Sequence, residues 1–212
     1  MTRIGTWNLA GRWSGLHRDF LLLLNCDVLL LTEVRRDADL PGYERHLCEN
    51  DMARRRAWTG VFSRRPLHPR SDPHAASAMV DVDGVKYCSS ILPWKGAGKR
   101  SFWPGERHAD WTAYTIDALR CELHGPVVWG GDFNHALEGR EWSGSIAGRA
   151  HVHALTRELG LQAPTTHLPH RIDGLLSIDH IAIPRTWRVL EASRHDATRL
   201  SDHDGYSVSV SR

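Results

Sequence analysis

Five apolar runs in this sequence each end in a short polar or acidic motif, and this repeated arrangement constrains the fold more than any other feature. Burial of carboxylates is costly unless something compensates it. One such motif could simply form a turn, because Asp and Asn are common turn residues. Five of them predict buried strands with a shared polar site. The motifs are Trp7-Asn8-Leu9, Leu31-Thr32-Glu33, Gly131-Asp132-Phe133-Asn134, Ile178-Asp179-His180 and Ser201-Asp202-His203.

The chain opens with a strand–helix–strand pattern. Residues 3–9 predict a strand, residues 16–25 carry apolar side chains at helical spacing, and residues 28–32 predict a buried strand that ends at Glu33. Asp83-Gly84 indicates a hairpin turn further along. We expect further strands at 43–48, 57–63, 76–82, 85–92, 126–129, 178–183, 187–194 and 205–211, and helices at 108–123 and 147–159.

Two helix-bearing halves, each with its own sheet, predict an α/β sandwich in which two packed sheets have helices outside. We therefore expect a four-layer α/β/β/α sandwich of mixed sheets. The sequence contains no repeat, low-complexity tract or linker. Residues 1–212 are accordingly predicted to form a single catalytic domain.

Composition narrows the function classes only slightly. The 212 residues are 41% hydrophobic and 25% charged with a formal net charge of +2, which is typical of a soluble globular protein. The four cysteines form no Cys-x-x-Cys pair, so the sequence does not support a zinc ribbon or a thioredoxin-like redox site. The N-terminus shows no signal-peptide pattern, and no apolar stretch is long enough to span a membrane. We expect a reduced, cytoplasmic protein.

The five motifs together resemble the ordered signature of the endonuclease/exonuclease/phosphatase superfamily, which includes DNase I-like and exonuclease III-like enzymes. That signature is an Asn after the first strand, a Glu after the next, Gly-Asp-x-Asn, an Asp in an Ile-Asp-x-Ile strand and a final Ser-Asp-His. All five parts occur here in order, from residue 7 to residue 203. The resemblance implies a DNase I-like fold and a metal-dependent phosphoesterase.

The resemblance implies a metal half of the site. Glu33 would be the principal ligand of the cation, with Asn8 and Asp202 as further ligands. Carboxylate and amide oxygens suit hard cations, so Mg²⁺ is the expected cofactor and Mn²⁺ a possible substitute.

The resemblance also implies a second half of the site, which positions the attacking water and binds the phosphate. Asp132 would align or deprotonate the attacking water, and Asn134 would donate a hydrogen bond to a phosphoryl oxygen. His203 would contact the scissile phosphate or carry a proton, with Asp179 orienting its ring. A carboxylate beside a histidine fixes its tautomer and raises its basicity.

Two departures from the family pattern affect the chemistry. Ile91 occupies the position where many relatives carry a His or Tyr facing the phosphate. Either a neighbour such as Lys95 substitutes for it, or metal-bound water protonates the leaving group. Residues 174–177 also lack the aromatic wall usual in abasic-site endonucleases, which argues against abasic-site specificity.

A long loop at residues 93–106 and several arginines are candidates for substrate contact. The loop interleaves basic and aromatic residues, which suits a nucleic-acid backbone with a base stacked on Trp. The alternative is a surface loop held by two Trp side chains packing inward. Arg35 is a further candidate because it follows Glu33 closely, and Arg54-Arg55-Arg56 is a weaker one. The candidate loop residues are Trp94, Lys95, Lys99, Arg100 and Trp103.

These observations favour a Mg²⁺-dependent nuclease that cleaves DNA or RNA through an activated water. A phosphomonoesterase or small-molecule phosphodiesterase of the same superfamily is the alternative, since substrate choice depends on loops. A catalytically inactive nucleic-acid-binding module is a third reading, and the intact motif set argues against it. A nucleic acid is thus the expected partner.

Overall fold

The computed structural model describes residues 1–98, 100 and 102–212, and within them thirteen strands, three α-helices and one 3-10 helix. The strands are β1 (Thr2–Asn8), β2 (Val28–Arg35), β3 (Glu44–Leu47), β4 (Asp51–Ala53), β5 (Arg56–Ser63), β6 (His68–Pro69), β7 (Ser77–Val82), β8 (Val85–Ile91), β9 (Val127–Asp132), β10 (Leu161–Gln162), β11 (Asp179–Pro184), β12 (Arg188–His195) and β13 (Gly205–Ser211). The helices are α1 (Gly15–Leu24), α2 (His108–Glu122), α3 (Ile146–Glu158) and the 3-10 helix Pro164–His167.

The strands form two mixed sheets. The first has the order β12-β13-β1-β2-β5-β3, with β4 also paired to β5, and the second has the order β10-β11-β9-β8-β7-β6. β1 is parallel to β2 and β8 is parallel to β9, whereas the other pairs are antiparallel. Each parallel pair is joined through a helix, α1 in the first sheet and α2 in the second. In each sheet the carboxyl ends of the parallel pair, β1 with β2 and β8 with β9, therefore lie at the same edge, and the two polar edges are neighbours.

Three apolar clusters lie between the successive layers of helices and sheets. One lies between the sheets and includes Leu30, Val61 and Ile181. A second packs α2 and α3 on the outer face of the second sheet, and a third packs α1 on the first sheet through Leu21 and Leu24. The predicted four-layer sandwich is therefore confirmed. Within the described residues, no helix is long and apolar enough to cross a membrane.

The predicted elements are present, with differences at their ends. β2 continues past Glu33 to Arg35, and β9 continues through Gly130-Gly131 to Asp132. The glycines resemble a turn in the sequence, but pairing with β8 and β11 extends the strand through them. The hairpin at Asp83-Gly84 is confirmed, with φ angles of 49° and 73°. The short strands β4, β6 and β10 were not predicted, because two or three residues carry no detectable alternation.

Buried neutral histidines predict acid sensitivity. Burial is the main cause that lowers the pKa of His135 to about 3 and that of His180 to about 4. Unfolding returns both to ordinary values near 6.5, so the unfolded chain binds more protons in acid and stability falls as pH drops below 6.5. Lowering the pH from 7 to 4.5 should cost roughly 2 kcal/mol per histidine. Asp132, whose pKa is raised, opposes part of this loss.

Urea unfolding at pH 7 and 4.5 measures this loss. His180→Gln should flatten the pH dependence, because glutamine can still donate to the His135 carbonyl, which His180 Nε2 contacts at 3.0 Å. Equal stability at both pH values would contradict the argument.

Candidate active site

Asn8 links the two sheets at their polar edges. Its Nδ2 donates to Glu33 Oε1 at 3.3 Å and to Asp132 Oδ2 at 3.0 Å, while its Oδ1 accepts from the Ala10 amide at 2.8 Å. Glu33 lies within β2 of the first sheet, whereas Asp132 is the last residue of β9 in the second. Glu33 and Asp132 thus share the buried side-chain amide of Asn8, which lies 124 positions before Asp132 in the sequence. The structure brings together three of the residues that the sequence singled out.

His203 lies between two buried carboxylates. Its Nδ1 contacts Asp179 Oδ2 at 2.8 Å, and its Nε2 lies 3.9 Å from Asp132 Oδ2. Burial acts to lower the pKa of His203, but the charges of Asp179 and Asp132 and the hydrogen bond to Asp179 outweigh it and raise the pKa. The imidazole therefore holds a proton at neutral pH. It pairs with a carboxylate that is 0% exposed.

The pKa of Asp132 is raised, chiefly by burial and then by the charge of Asp179. The positive charge of His203 and the hydrogen bond from Asn8 act in the opposite direction. A buried carboxyl whose pKa is raised can accept a proton near neutral pH, which is the property a general base requires.

Gly130 and Gly131 allow β9 to carry Asp132 into the site. Gly131 has φ 121°, and an added Cβ there would overlap the carbonyl oxygen of Ser90 in β8. At Gly130 an added Cβ would lie 2.6 Å from the carbonyl oxygen of His180. Only glycine fits where two neighbouring strands approach this closely.

Hydrogen bonds hold the Ser-Asp-His motif against the end of β1. Ser201 Oγ donates to the Asn8 carbonyl oxygen at 2.7 Å and accepts from the His203 amide at 3.1 Å. Trp7 Nε1 donates to the His203 carbonyl oxygen at 3.0 Å. Asp202 is exposed and lines the cleft beside His203. Ser201 therefore positions the motif while Asp202 faces the opening.

Asn134 is held tightly at the base of the cleft. Its φ is 50°, its amide donates to Asp132 Oδ1 at 3.0 Å, and its Nδ2 donates to the Leu92 carbonyl oxygen at 3.0 Å. Its Oδ1 accepts from Ser143 Oγ at 3.1 Å. One Nδ2 hydrogen remains for a ligand, because the side-chain amide carries two.

Glu33 has an unforeseen partner in Arg56. Arg56 Nη1 lies 2.9 Å from Glu33 Oε2, and Arg35 pairs instead with Asp37 at 2.7 Å. The antiparallel register places Arg56 opposite Arg35 at the start of β5, beside Glu33. Gly11, at φ 66°, leaves the space that Arg56 occupies, since an added Cβ would lie 2.5 Å from Arg56 Nη1. In the sequence Arg56 was only a member of an arginine run.

A cleft of about 290 Å³ opens beside His203 and Asn134. Trp142 and His170 line it and were missed by the sequence reasoning, since each lies outside a recognised motif. The Trp142 indole donates to the Leu176 carbonyl oxygen at 3.2 Å, so an aromatic wall does stand beside residues 174–177, supplied by a distant segment. Pairing over 34 positions leaves no local signal in a sequence.

The long loop combines inward packing with an exposed basic edge. Trp103 is 0% exposed and packs on Trp58, with ring centroids 5.4 Å apart, so we assign it a packing role. Trp94 is half-buried and lines the cleft, while Lys95 and Arg100 are exposed beside it. The guanidinium of Arg100 lies 6.0 Å from the Trp94 ring centroid. The predicted contact Lys99 lies outside the described residues.

Ile91 faces the apolar layer between the sheets and is 1% exposed. It pairs with Asp132 across β8 and β9. The position therefore supplies no proton donor, as its sequence indicates.

A two-sheet sandwich with carboxylates, an amide and an imidazole gathered at its central strand ends is the arrangement of a hydrolytic phosphoesterase. The sequence model of the Endonuclease/Exonuclease/phosphatase family matches residues 5–203, and the chain belongs to this family. The resemblance seen in the motifs is thereby confirmed. No match was found among the curated proteins to which the sequence was compared.

Solved structures of similar fold include three from microorganisms. An AP endonuclease from Archaeoglobus fulgidus has a TM-score of 0.73 at 17% identity, with 99% of each chain covered. The 3′ phosphatase NExo from Neisseria, bound to a product DNA hairpin, has a TM-score of 0.73 at 18% identity, with 100% of each chain covered. A family protein from Leptotrichia buccalis has a TM-score of 0.69 at 13% identity, again with 100% of each chain covered. At these identities the likeness concerns the fold.

Proposed function

We propose that the chain is a Mg²⁺-dependent phosphodiester hydrolase that cleaves nucleic acid through an activated water. The observation that carries this proposal is the bridge from Glu33 through Asn8 to Asp132, beside the ion pair of His203 and Asp179. It joins a hard oxygen donor, a candidate base and a buried cation within one site. Metal-assisted hydrolysis of a phosphodiester can use all three, as ligand of the metal, acceptor of the water proton and partner of the phosphoryl charge.

The donor set fits a hard divalent cation near Glu33. The Glu33 carboxylate is 20% exposed, and among the described residues its Oε1 receives only the 3.3 Å contact from Asn8. Asn8 Oδ1 keeps a second lone pair beside its bond from Ala10, and Asp202 faces the opening. A bound Mg²⁺ would supply positive charge for the phosphoryl and leaving-group oxygens.

Asp132, Asp179 and His203 form a second cluster, whose ligand atoms lie within 4.8 Å of one another. A cation there would have to displace the proton on His203 Nε2, which faces Asp132 Oδ2 at 3.9 Å, while the Nδ1 proton stays with Asp179. A protonated imidazole is not a ligand, so this cluster suits proton transfer better than metal binding. We assign the cation to Glu33, Asn8 and Asp202.

The remaining residues divide the reaction among them. Asp132 accepts the proton of the attacking water, for which its raised pKa is suited. Protonated His203 contacts a non-bridging phosphoryl oxygen, and Asp179 holds the ring in place. Asn134 directs its free Nδ2 hydrogen at the phosphoryl group. The fixed charges and dipoles lower the barrier because they need no reorganisation during the reaction.

The surroundings of the cleft support a nucleic-acid substrate. Lys95 and Arg100 are exposed next to Trp94, and Arg171 lies beside the Ser-Asp-His motif, where its Nη1 donates to the Ser201 carbonyl oxygen at 2.6 Å. Cations that flank an aromatic surface suit a phosphate backbone with stacked bases. The structures of similar fold named as an AP endonuclease and as a DNA-bound 3′ phosphatase agree with this choice.

A phosphomonoesterase is the second candidate, and the size of the cleft favours it. A volume of about 290 Å³ is at the small end of ligand pockets, so a terminal phosphate with one sugar would fill it. NExo, which has a similar fold, is named a 3′ phosphatase.

A substrate panel tests the proposal. Single- and double-stranded DNA, RNA and 3′-phosphorylated oligonucleotides are incubated with Mg²⁺, Mn²⁺ or EDTA, and products are separated by length. We expect internal or terminal phosphodiester cleavage with Mg²⁺ and none with EDTA. Release of phosphate alone would support the phosphomonoesterase instead. Binding to nucleic acid without hydrolysis of any substrate would indicate an inactive binding module.

A further inference from the structure

The cleft contains an imidazole that the proposed reaction leaves unused. His170 is 6% exposed and lines the cleft together with Trp94, Trp142 and His203. Its ring centroid lies 4.6 Å from that of Trp142 and 6.4 Å from that of His203, with the two histidine rings nearly perpendicular. A second histidine therefore stands beside His203 in the same cleft.

The backbone of His170 is fixed from several sides. Its amide donates to the Leu175 carbonyl oxygen at 2.9 Å, and the neighbouring Pro169 forms an antiparallel bridge with Leu176. The Tyr206 hydroxyl donates to the Pro169 carbonyl oxygen at 3.1 Å. A ring held by packing and by these bonds is preorganised, which is what an electrostatic catalyst requires.

The hydrogen bonding of His170 determines which nitrogen carries the proton. The Ile172 amide donates to His170 Nδ1 at 3.1 Å, so Nδ1 accepts and the neutral ring is protonated on Nε2. Burial is the main cause that lowers the pKa of His170, and the charge of His203 lowers it further, against the charge of Asp179. The ring is therefore a neutral donor. Nε2 has no hydrogen-bond partner among the described residues.

Two other donors that line the cleft are engaged within the protein, and Asn134 and His203 are already assigned to the phosphoryl group. Trp142 Nε1 donates to the Leu176 carbonyl oxygen at 3.2 Å, and Ser143 Oγ donates to Asn134 Oδ1 at 3.1 Å. Ile91, at the position where many relatives place a donor, faces the apolar layer between the sheets. A bound Mg²⁺ would supply charge to the leaving oxygen, but no side chain has yet been assigned to donate a hydrogen bond to it. His170 Nε2 remains available for that task.

We propose that His170 is a catalytic residue that donates a hydrogen bond from Nε2 to the leaving oxygen of the phosphoester. This rests on the proposed hydrolysis. Water oxygen forms a bond to phosphorus and gives its proton to Asp132, while the bond from phosphorus to the leaving oxygen breaks and its electron pair stays on that oxygen. His170 stabilises the alkoxide, which takes a proton from solvent water, and Asp132 returns its proton to the solvent, so charge balances. A neutral imidazole can serve as such an electrophile.

Two conservative variants separate this role from packing. His170→Asn keeps an oxygen near the Nδ1 position for the Ile172 amide but places no donor at Nε2, whereas His170→Gln can place an amide N–H near Nε2. With an oligonucleotide substrate, we expect His170→Asn to lower kcat by about 100-fold with little change in KM. His170→Gln should recover at least tenfold of that loss. His124→Asn, at an exposed histidine just after the C-terminal end of α2, should leave kcat unchanged.

The dependence on the leaving group gives a second readout. Bis(p-nitrophenyl) phosphate releases a stable phenolate that needs little stabilisation, so both variants should stay within about threefold of wild type on it. Equal losses on both substrates, or an unchanged kcat on the oligonucleotide, would overturn the role. If wild type does not cleave the aryl ester, the difference in kcat between His170→Asn and His170→Gln on the oligonucleotide decides whether His170 has this role. Absence of wild-type hydrolysis of all phosphoesters would instead refute the proposed function.

Discussion

Replacing His203 by alanine should lower kcat/KM for phosphodiester hydrolysis by about 10³-fold or more. The substitution removes the cation between Asp132 and Asp179, at 3.9 and 2.8 Å. Two buried carboxylates would then face each other without a positive charge, and Asp132 would take up a proton more readily and cease to act as a base. Steady-state kinetics with Mg²⁺ on the substrate identified by the panel measures the effect.

Asp179→Asn is a milder variant that tests the same ion pair. Asparagine can still accept from His203 Nδ1 but removes the negative charge, so the imidazole loses its main support for holding a proton. We expect a loss of about 10²-fold, smaller than for His203→Ala. His124→Gln, at an exposed site, controls for loss of a histidine. Melting curves must show that each variant is folded. Activity of His203→Ala within tenfold of wild type would refute this part of the mechanism.

Patterns within short segments predicted most of the fold. Apolar runs such as Val28–Leu31 and Val127–Trp129 became central strands. The helical spacing of apolar residues in 16–25 predicted α1 itself, but Leu16 and Leu23 of the predicted apolar face are exposed, and Leu21 packs on the first sheet instead. These signals survive in one sequence because local propensity and burial agree there. The end of β9 was missed because pairing with β8 and β11 overrides the local preference of Gly130-Gly131 for a turn. The end of β2 was missed because its pairing with β5 continues as far as Arg35.

The site was predictable only as far as its ordered motifs extend. Each motif ends a buried strand, so Asn8, Glu33 and Asp132 could be expected to meet. Arg56, Trp142 and His170 could not, because their places depend on contacts across strand register and loop packing rather than on spacing. The role of Trp103 was open for the same reason: whether a loop aromatic points inward is decided by the cavity that it meets, here one beside Trp58.

Replacing Glu33 by glutamine should weaken Mn²⁺ binding by at least tenfold and lower Mg²⁺-dependent kcat/KM by about 10³-fold. Glutamine keeps the shape and the contact with Asn8 but removes the charge that a hard cation requires. It also frees Arg56, whose 2.9 Å contact with Glu33 Oε2 would be lost as an ion pair, leaving a positive charge beside the cation site. Loss of several kcal/mol of charge stabilisation corresponds to a rate effect of this size.

Mn²⁺ titration followed by electron paramagnetic resonance measures binding without catalysis, and Asp132→Asn measured in parallel distinguishes the two cation sites. If Glu33 holds the cation, Glu33→Gln loses Mn²⁺ affinity while Asp132→Asn retains most of it. Unchanged binding by Glu33→Gln with loss in Asp132→Asn would move the cation to the cluster with Asp179 and His203, whose ligand atoms are close enough to hold one. Glu49→Gln, an exposed acid remote from both, should bind as wild type. Each candidate centre contains its own essential carboxylate, so the two outcomes exclude each other. The result also decides whether His203 is free to carry a proton and contact the phosphate.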